Sequence, residues 1–256
     1  MTKKCVVFDL DKTIGYFTQI ALLIEGIEYH LKREITVHEH FQVFDLFPEI
    51  FRPNIFKIFK LLYKNKKRNK SFKVMIYTNN MGPKSWTHII KKYIERKLNY
   101  KLFDHVVCAW KVGHTIYEPC RTTHNKTYND LLRCSGLYNY KFCFIDDQYH
   151  PHMLHNDIKY LRVTDYKNDL LLENMIRRLY KLPFVSNQTS LKYNILSSVD
   201  NNKYGYKYTR KTQRFYNNNN KLYKIIKNFI QEKNHTKIRK KTRRKSKKYI
   251  KLTRKR

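Results

Sequence analysis

Lys4-Cys5-Val6-Val7-Phe8-Asp9-Leu10-Asp11-Lys12-Thr13 is the stretch on which the reading of the fold turns. Its apolar residues run together instead of alternating, the pattern of a strand buried on both faces, as in a parallel sheet covered by helices. The run ends on an aspartate, with a second aspartate two residues on and a threonine two further. Ligands gather outside the carboxyl ends of strands in open parallel sheets, so these acids stand where a site is expected. A calcium loop is excluded, because the position that needs glycine is Ile14 and the one that needs glutamate is Ile20.

Outward from this segment, similar apolar runs occur at 72–78, 103–110 and 141–145, with a shorter one at 160–163. Helical spacing lies between them. Ile55, Ile58, Phe59, Leu61 and Leu62 share a face after Pro53, and Trp86, Ile89, Ile90, Tyr93 and Ile94 do so after Pro83. Tyr128, Leu131 and Leu132 follow Lys126, and residues 170–179 make a late helix. Strands alternating with helices predict an α/β fold with a central parallel sheet of about five strands flanked by helices. Residues 14–49 hold one helical pattern, at 20–31, and His38 and His40 alternate there as on an exposed extended segment. Trp86 and Trp110 belong to apolar patterns and read as core.

The formal charge of +34 is far beyond what solubility needs and points to a polyanionic partner. Residues 201–256 hold 22 Lys and Arg against Glu232 alone, a net of +21, which leaves +13 for residues 1–200. The chain therefore divides into a domain at 1–185 and a basic, largely disordered tail at 186–256, with a short amphipathic helix at 222–230. Such a tail predicts nucleic-acid binding through residues 201–256. Five cysteines with no C-x-x-C pair fit a reduced intracellular compartment. No apolar run is long enough to span a bilayer, so no membrane partner is expected. His150, His152 and His155 fall in one loop, read as a rim of the site in preference to a zinc site.

Four segments, in order, resemble the motifs of the haloacid dehalogenase superfamily, a Rossmann-like fold. Asp9-Leu10-Asp11-Lys12-Thr13 is similar to the first motif, with Asp9 the nucleophile and Asp11 the acid–base; Ile76-Tyr77-Thr78-Asn79-Asn80 is similar to the second. Lys126, ahead of its helix, resembles the third, and Phe144-Ile145-Asp146-Asp147 the acidic fourth. The resemblance implies catalysis by Asp9, Asp11, Thr78 and Lys126, phosphate held by Thr78, Asn79 and Lys126, and Mg2+ held by Asp9, Asp11, Asp146 and Asp147. The chemistry is coherent, since a carboxylate attacks a phosphate dianion only when a metal and a lysine offset their repulsion.

Within the superfamily the chain is most similar to the small C-terminal-domain phosphatases and NLI-interacting-factor-like proteins. Phe51-Arg52-Pro53 and Tyr160-Leu161-Arg162-Val163 followed by Tyr166 carry that likeness. Asp146-Asp147 stands where those enzymes have Asp-Asn, which leaves open the acid that meets the metal directly. The Lys-, Asn-, Tyr- and Ile-rich composition also resembles phosphatase-like proteins of giant DNA viruses, and the basic tail implies the nucleus, viral factory or virion as locations. A minimal cap implies an open site for a large phosphorylated substrate, a phosphoprotein first. The alternatives are a polynucleotide phosphate end, or an idle nucleic-acid-binding or virion protein that keeps the fold. Arg121, Thr122, Thr123 and His124 line the substrate entrance or form a polar loop.

Overall fold

Along the first strand, Val6 and Phe8 are buried in one apolar cluster and Cys5 and Val7 in another, so the strand has a core on each face. That is the two-sided burial that its unbroken apolar run requires. In the computed structural model, which describes residues 2–185, 188–200, 213–214 and 220–232, this strand is β1 (Lys3–Phe8). It is followed by α1 (Thr18–Leu31), α2 (Val37–Leu46), α3 (Ile55–Arg68), β2 (Lys73–Tyr77), α4 (Lys84–Leu98) and β3 (His105–Val107). A hairpin of β4 (Lys111–Val112) and β5 (Thr115–Ile116) precedes α5 (Tyr128–Ser135), β6 (Tyr140–Asp146) and β7 (Ile158–Arg162). The chain continues through β8 (Asn168–Asp169), α6 (Leu172–Leu179), α7 (Gln188–Asp200), β9 (Gln213–Arg214) and α8 (Asn220–Gln231).

The fold is α/β, with five parallel strands in the order β3-β2-β1-β6-β7. β1 leads to β2 on one side and pairs with β6 on the other, so the strand order reverses beside β1, where open sheets form a ligand crevice. β3 is shorter than the predicted run at 103–110. Its ladder ends because Glu118 accepts the Cys108 N–H and Arg121 donates to the Cys108 carbonyl.

Several expectations change. Residues 14–49 hold two helices instead of one. α2 starts on a capping box in which Thr36 Oγ1 accepts from the Glu39 N–H and Glu39 accepts from the Thr36 N–H. This cap turns the supposed extended segment into a helix. It buries His40, which packs on Phe44 and Trp86, while His38 stays exposed. Trp86 packs against the larger core, whereas Trp110 lies against His124 outside both clusters.

The folded unit also runs past residue 185. α7 buries Leu191 and Ile195 against α1, and the two helices approach so closely at Gly26 that a Cβ there would lie 2.8 Å from the Ile195 Cα. α8 buries Leu222, Ile226 and Phe229 beside α3, which agrees with the amphipathic helix expected at 222–230. Its last carbonyls are held by Lys4 Nζ, which donates to Phe229 O at 2.6 Å and Ile230 O at 3.2 Å. Lys159 pairs with Glu232 at 2.7 Å. Residues 201–212 and 233–256 of the expected tail lie outside the described residues. No described helix is long and apolar enough to cross a membrane.

The cysteines are not all free thiols. Cys120 and Cys134 form a disulfide, whereas Cys5, Cys108 and Cys143 are free and buried. α5 carries Cys134 back to the segment that precedes Lys126, a return that a separation of 14 residues does not announce.

Candidate active site

The sheet register assembles the site. Phe8 pairs with Ile145, so Asp9 follows β1 beside Asp146 at the end of β6, and the Asp9 N–H extends the ladder to Ile145 O at 2.9 Å. Phe8 also pairs with Ile76, which sets Thr78 just beyond β2 on the other side. A pocket of about 180 Å³ opens at these strand ends, lined by Asp9, Asp11, Thr78, Asn79, Lys126, Asp146 and Asp147 among others. Every site residue read from the sequence therefore lines one pocket.

Lys126 is its centre. The residue is 2% exposed, and its Nζ donates to Asp9 Oδ1 at 2.5 Å and Asp146 Oδ2 at 2.7 Å. It enters from the turn ahead of α5, whose first turn is capped by Thr127 and whose Thr127 N–H donates to Tyr77 Oη. Burial presses the ammonium toward neutrality, but the two carboxylates outweigh burial and its pKa ends up raised. Burial pushes the Asp9 carboxyl up to about 7, against the opposing pull of Lys126 and with the charge of Asp146 adding to the rise. Asp146 ends up lowered, because hydrogen bonds and charge from His150 and Lys126 overcome its burial. His150 Nε2 lies 3.2 Å from Asp146 Oδ2.

Asp9, Asp146 and Asp147 each offer a ligand atom within 4.8 Å of one another. Three converging carboxylates form the oxygen set that Mg2+ takes, so the residues fit that ion. Asp147 is fixed by Thr13, whose hydroxyl donates to its Oδ1 at 3.2 Å and accepts its N–H at 3.1 Å. Burial and then Asp146 raise the Asp147 pKa. Asp11 lines the same pocket, beside the three carboxylates whose ligand atoms converge. Its Oδ2 accepts from Asn80 Nδ2 at 2.6 Å. Burial raises its pKa, with Asn80 opposing, and a carboxyl that holds its proton more tightly is suited to donate one.

Thr78 Oγ1 accepts from the Asn80 N–H at 3.1 Å, which leaves its hydroxyl hydrogen available to an anion. Asn79 Oδ1 is buried and has no partner among the described residues.

The sequence assigns Arg52 no part in the site and sets Arg121 at its entrance or in a polar loop, and both arginines are buried. Arg52 Nε donates to Thr13 O at 2.6 Å, and its Nη2 donates to Lys12 O at 2.5 Å and Thr164 O at 2.7 Å. Those bonds hold the turn after Asp11, in which Lys12 takes a left-handed φ of 57°. Arg121 is no entrance residue. It is 2% exposed and donates to the carbonyls of Thr78, Cys108, His124 and Asn125, joining β2 to the Lys126 segment. Of the three loop histidines, His150 lines the pocket, His155 stacks on Tyr128 and His152 is exposed, so they do not converge.

Comparison of the chain with protein-family models, curated proteins and solved structures returns no match. The geometry carries the functional reading alone.

Proposed function

We propose that the chain is a Mg2+-dependent phosphomonoesterase that works through a phosphorylated Asp9, with a phosphoprotein as the favoured substrate. The observation that carries this reading is the buried Lys126 held between Asp9 and Asp146, with Asp11 turned toward Asn80 at the same strand ends. A structural ion pair needs neither the second aspartate nor a Thr78 hydroxyl hydrogen left to donate.

A carboxylate oxygen of Asp9 attacks phosphorus as the ester P–O bond breaks, and Asp11 gives its proton to the departing oxygen. Asp11 then takes a proton from water as that water attacks phosphorus, which frees Asp9 and releases inorganic phosphate. Lys126 and the Thr78 hydroxyl bind phosphoryl oxygens throughout. Mg2+, which Asp9, Asp146 and Asp147 would hold, supplies charge neutralisation at the phosphoryl group. The basic residues beyond 200 bind nucleic acid in this reading and keep the enzyme near it.

The test is release of 4-nitrophenol from 4-nitrophenyl phosphate by the purified chain. Activity is expected with Mg2+, none with chelator, and a loss of at least about a thousandfold in Asp9→Asn. Turnover by Asp9→Asn within tenfold of the parent would exclude Asp9 as the nucleophile.

A further inference from the structure

A second cavity, of about 520 Å³, opens beside the catalytic pocket between α1, α2 and the start of α4. Asp11 and Asn80 line both spaces. A groove on the other flank, near Arg162, shares Lys12 and Asp147 with the catalytic pocket but not Asp11. The group that departs on the Asp11 proton therefore faces the 520 Å³ cavity. Its volume is in the range of small-ligand sites.

The walls specify what fits. Phe17, Ile24, Ile35, Trp86 and Ile89 supply apolar and aromatic surface. Glu25, Glu28 and Glu34 add carboxylates, and no lysine or arginine lines the cavity among the described residues. In a chain with 54 lysines and arginines, that is a local reversal of sign. His40, 7% exposed, also lines the cavity. Its Nδ1 lies 2.9 Å from the Thr36 carbonyl, which only accepts, so the neutral ring carries its hydrogen there. Nε2 is then a lone-pair acceptor, with no partner among the described residues. Carboxylates, an imidazole acceptor and aromatic faces together recognise a cationic donor on an apolar stem.

We infer that this cavity receives the alcohol side of the substrate as a peptide segment bearing lysine or arginine beside the phosphorylated residue. The inference rests on the phosphatase reading and gives it a substrate class. A polynucleotide end would bring further phosphates against Glu25, Glu28 and Glu34, where like charges repel. The charge of the rest of the chain works against a cationic substrate, so a preference for one isolates the local carboxylates from the overall field.

The experiment compares kcat/KM of the full chain, with Mg2+ at 0.15 M salt, for two phosphotyrosine peptides of equal length. One is flanked by arginines and the other by aspartates; 4-nitrophenyl phosphate and a 3′-phosphorylated oligodeoxynucleotide complete the set. The arginine peptide is expected to lead the aspartate peptide by roughly tenfold, the yield of two or three solvent-accessible charge pairs. In Glu25→Gln/Glu34→Gln that ratio is expected to fall to about two or less. Glu28 is left intact, since it accepts the Ile35 N–H at 3.0 Å. A ratio within one protein is insensitive to partial loss of folding. An equal or better rate for the aspartate peptide or the oligonucleotide would overturn the inference, as would an unchanged ratio in the double variant. Should 4-nitrophenyl phosphate and the peptides all resist hydrolysis, the phosphatase reading fails separately. Quenching of tryptophan fluorescence by the unphosphorylated arginine peptide, weakened in the double variant, would still uphold the cavity; no quenching would refute it.

Discussion

Replacing Arg52 by methionine removes one side chain that closes three backbone carbonyls, those of Lys12, Thr13 and Thr164. Methionine keeps most of the volume, so the change isolates the guanidinium. Each orphaned buried carbonyl costs about 1–3 kcal/mol, and water can reach some of them through the neighbouring groove. The sum lands near the ~3–5 kcal/mol seen when one partner of a buried charged network is deleted. Burial has already pushed the Arg52 pKa down to about 10, which marks how little solvent shares in these bonds. Arg52→Met is therefore expected to lose about 3–4 kcal/mol, read as a fall in urea midpoint at unchanged m-value. Arg52→Lys keeps the charge but has one nitrogen for three carbonyls in a fork, and should lose about 2 kcal/mol. Thr13, whose carbonyl Arg52 holds, carries Asp147 on its hydroxyl, so the lysine variant should also need more Mg2+ for half-maximal stabilisation. A loss below about 1 kcal/mol in Arg52→Met, or a lysine variant as stable as the parent, would refute the account.

Asp11→Asn should slow aryl phosphates with poor leaving groups more than those with good ones, and a uniform loss across a leaving-group series would deny Asp11 the acid's role. His88 and His105 both sit below the usual histidine range, first through burial, with nearby lysines adding. The unfolded chain then binds more protons, so their contribution is complete above about pH 6.5 and is lost as pH falls through the lower folded values. Urea midpoints between pH 7 and pH 5 should fall less steeply in His88→Gln/His105→Gln than in the parent, and parallel profiles would contradict this. Truncation after Glu232, which keeps α8 and its bonds to Lys4, should leave 4-nitrophenyl phosphate turnover intact and sharply weaken DNA binding. If about eight tail charges meet phosphates, log affinity of the full chain should fall with log salt at a slope near −7, and a flat response would mean no phosphate contact.

The strands were legible where burial is two-sided. β1, β2 and β6 have contiguous apolar runs because each has a core above and below, and their ends located Asp9, Thr78 and Asp146. α3 and α4 were legible from helical spacing behind a proline. α2 was hidden by its composition: His40 is buried on its inner face, and the capping box at Thr36 and Glu39 was the signal to use. α7 has few buried anchors, Leu191 and Ile195, and packs because Gly26 on α1 lets the two backbones approach. No pattern confined to residues 188–200 states that. The buried bonds of Arg52 and Arg121 were illegible because their acceptors are carbonyls, which every residue has. Nor does the sequence around Asp11 announce that its carboxylate accepts from Asn80, 69 residues away.

The grip of Lys4 on the last carbonyls of α8 settles the molecule's polarity. Lys4 lies at the start of β1, and Asp9, just past its end, is five residues and about 17 Å away along the strand. The chain therefore leaves residue 232 at the end of the sheet opposite the candidate pocket, and the 14 lysines and arginines of residues 233–256 follow it in sequence. Whatever residues 233–256 bind is therefore tethered at the end of the sheet away from the candidate pocket.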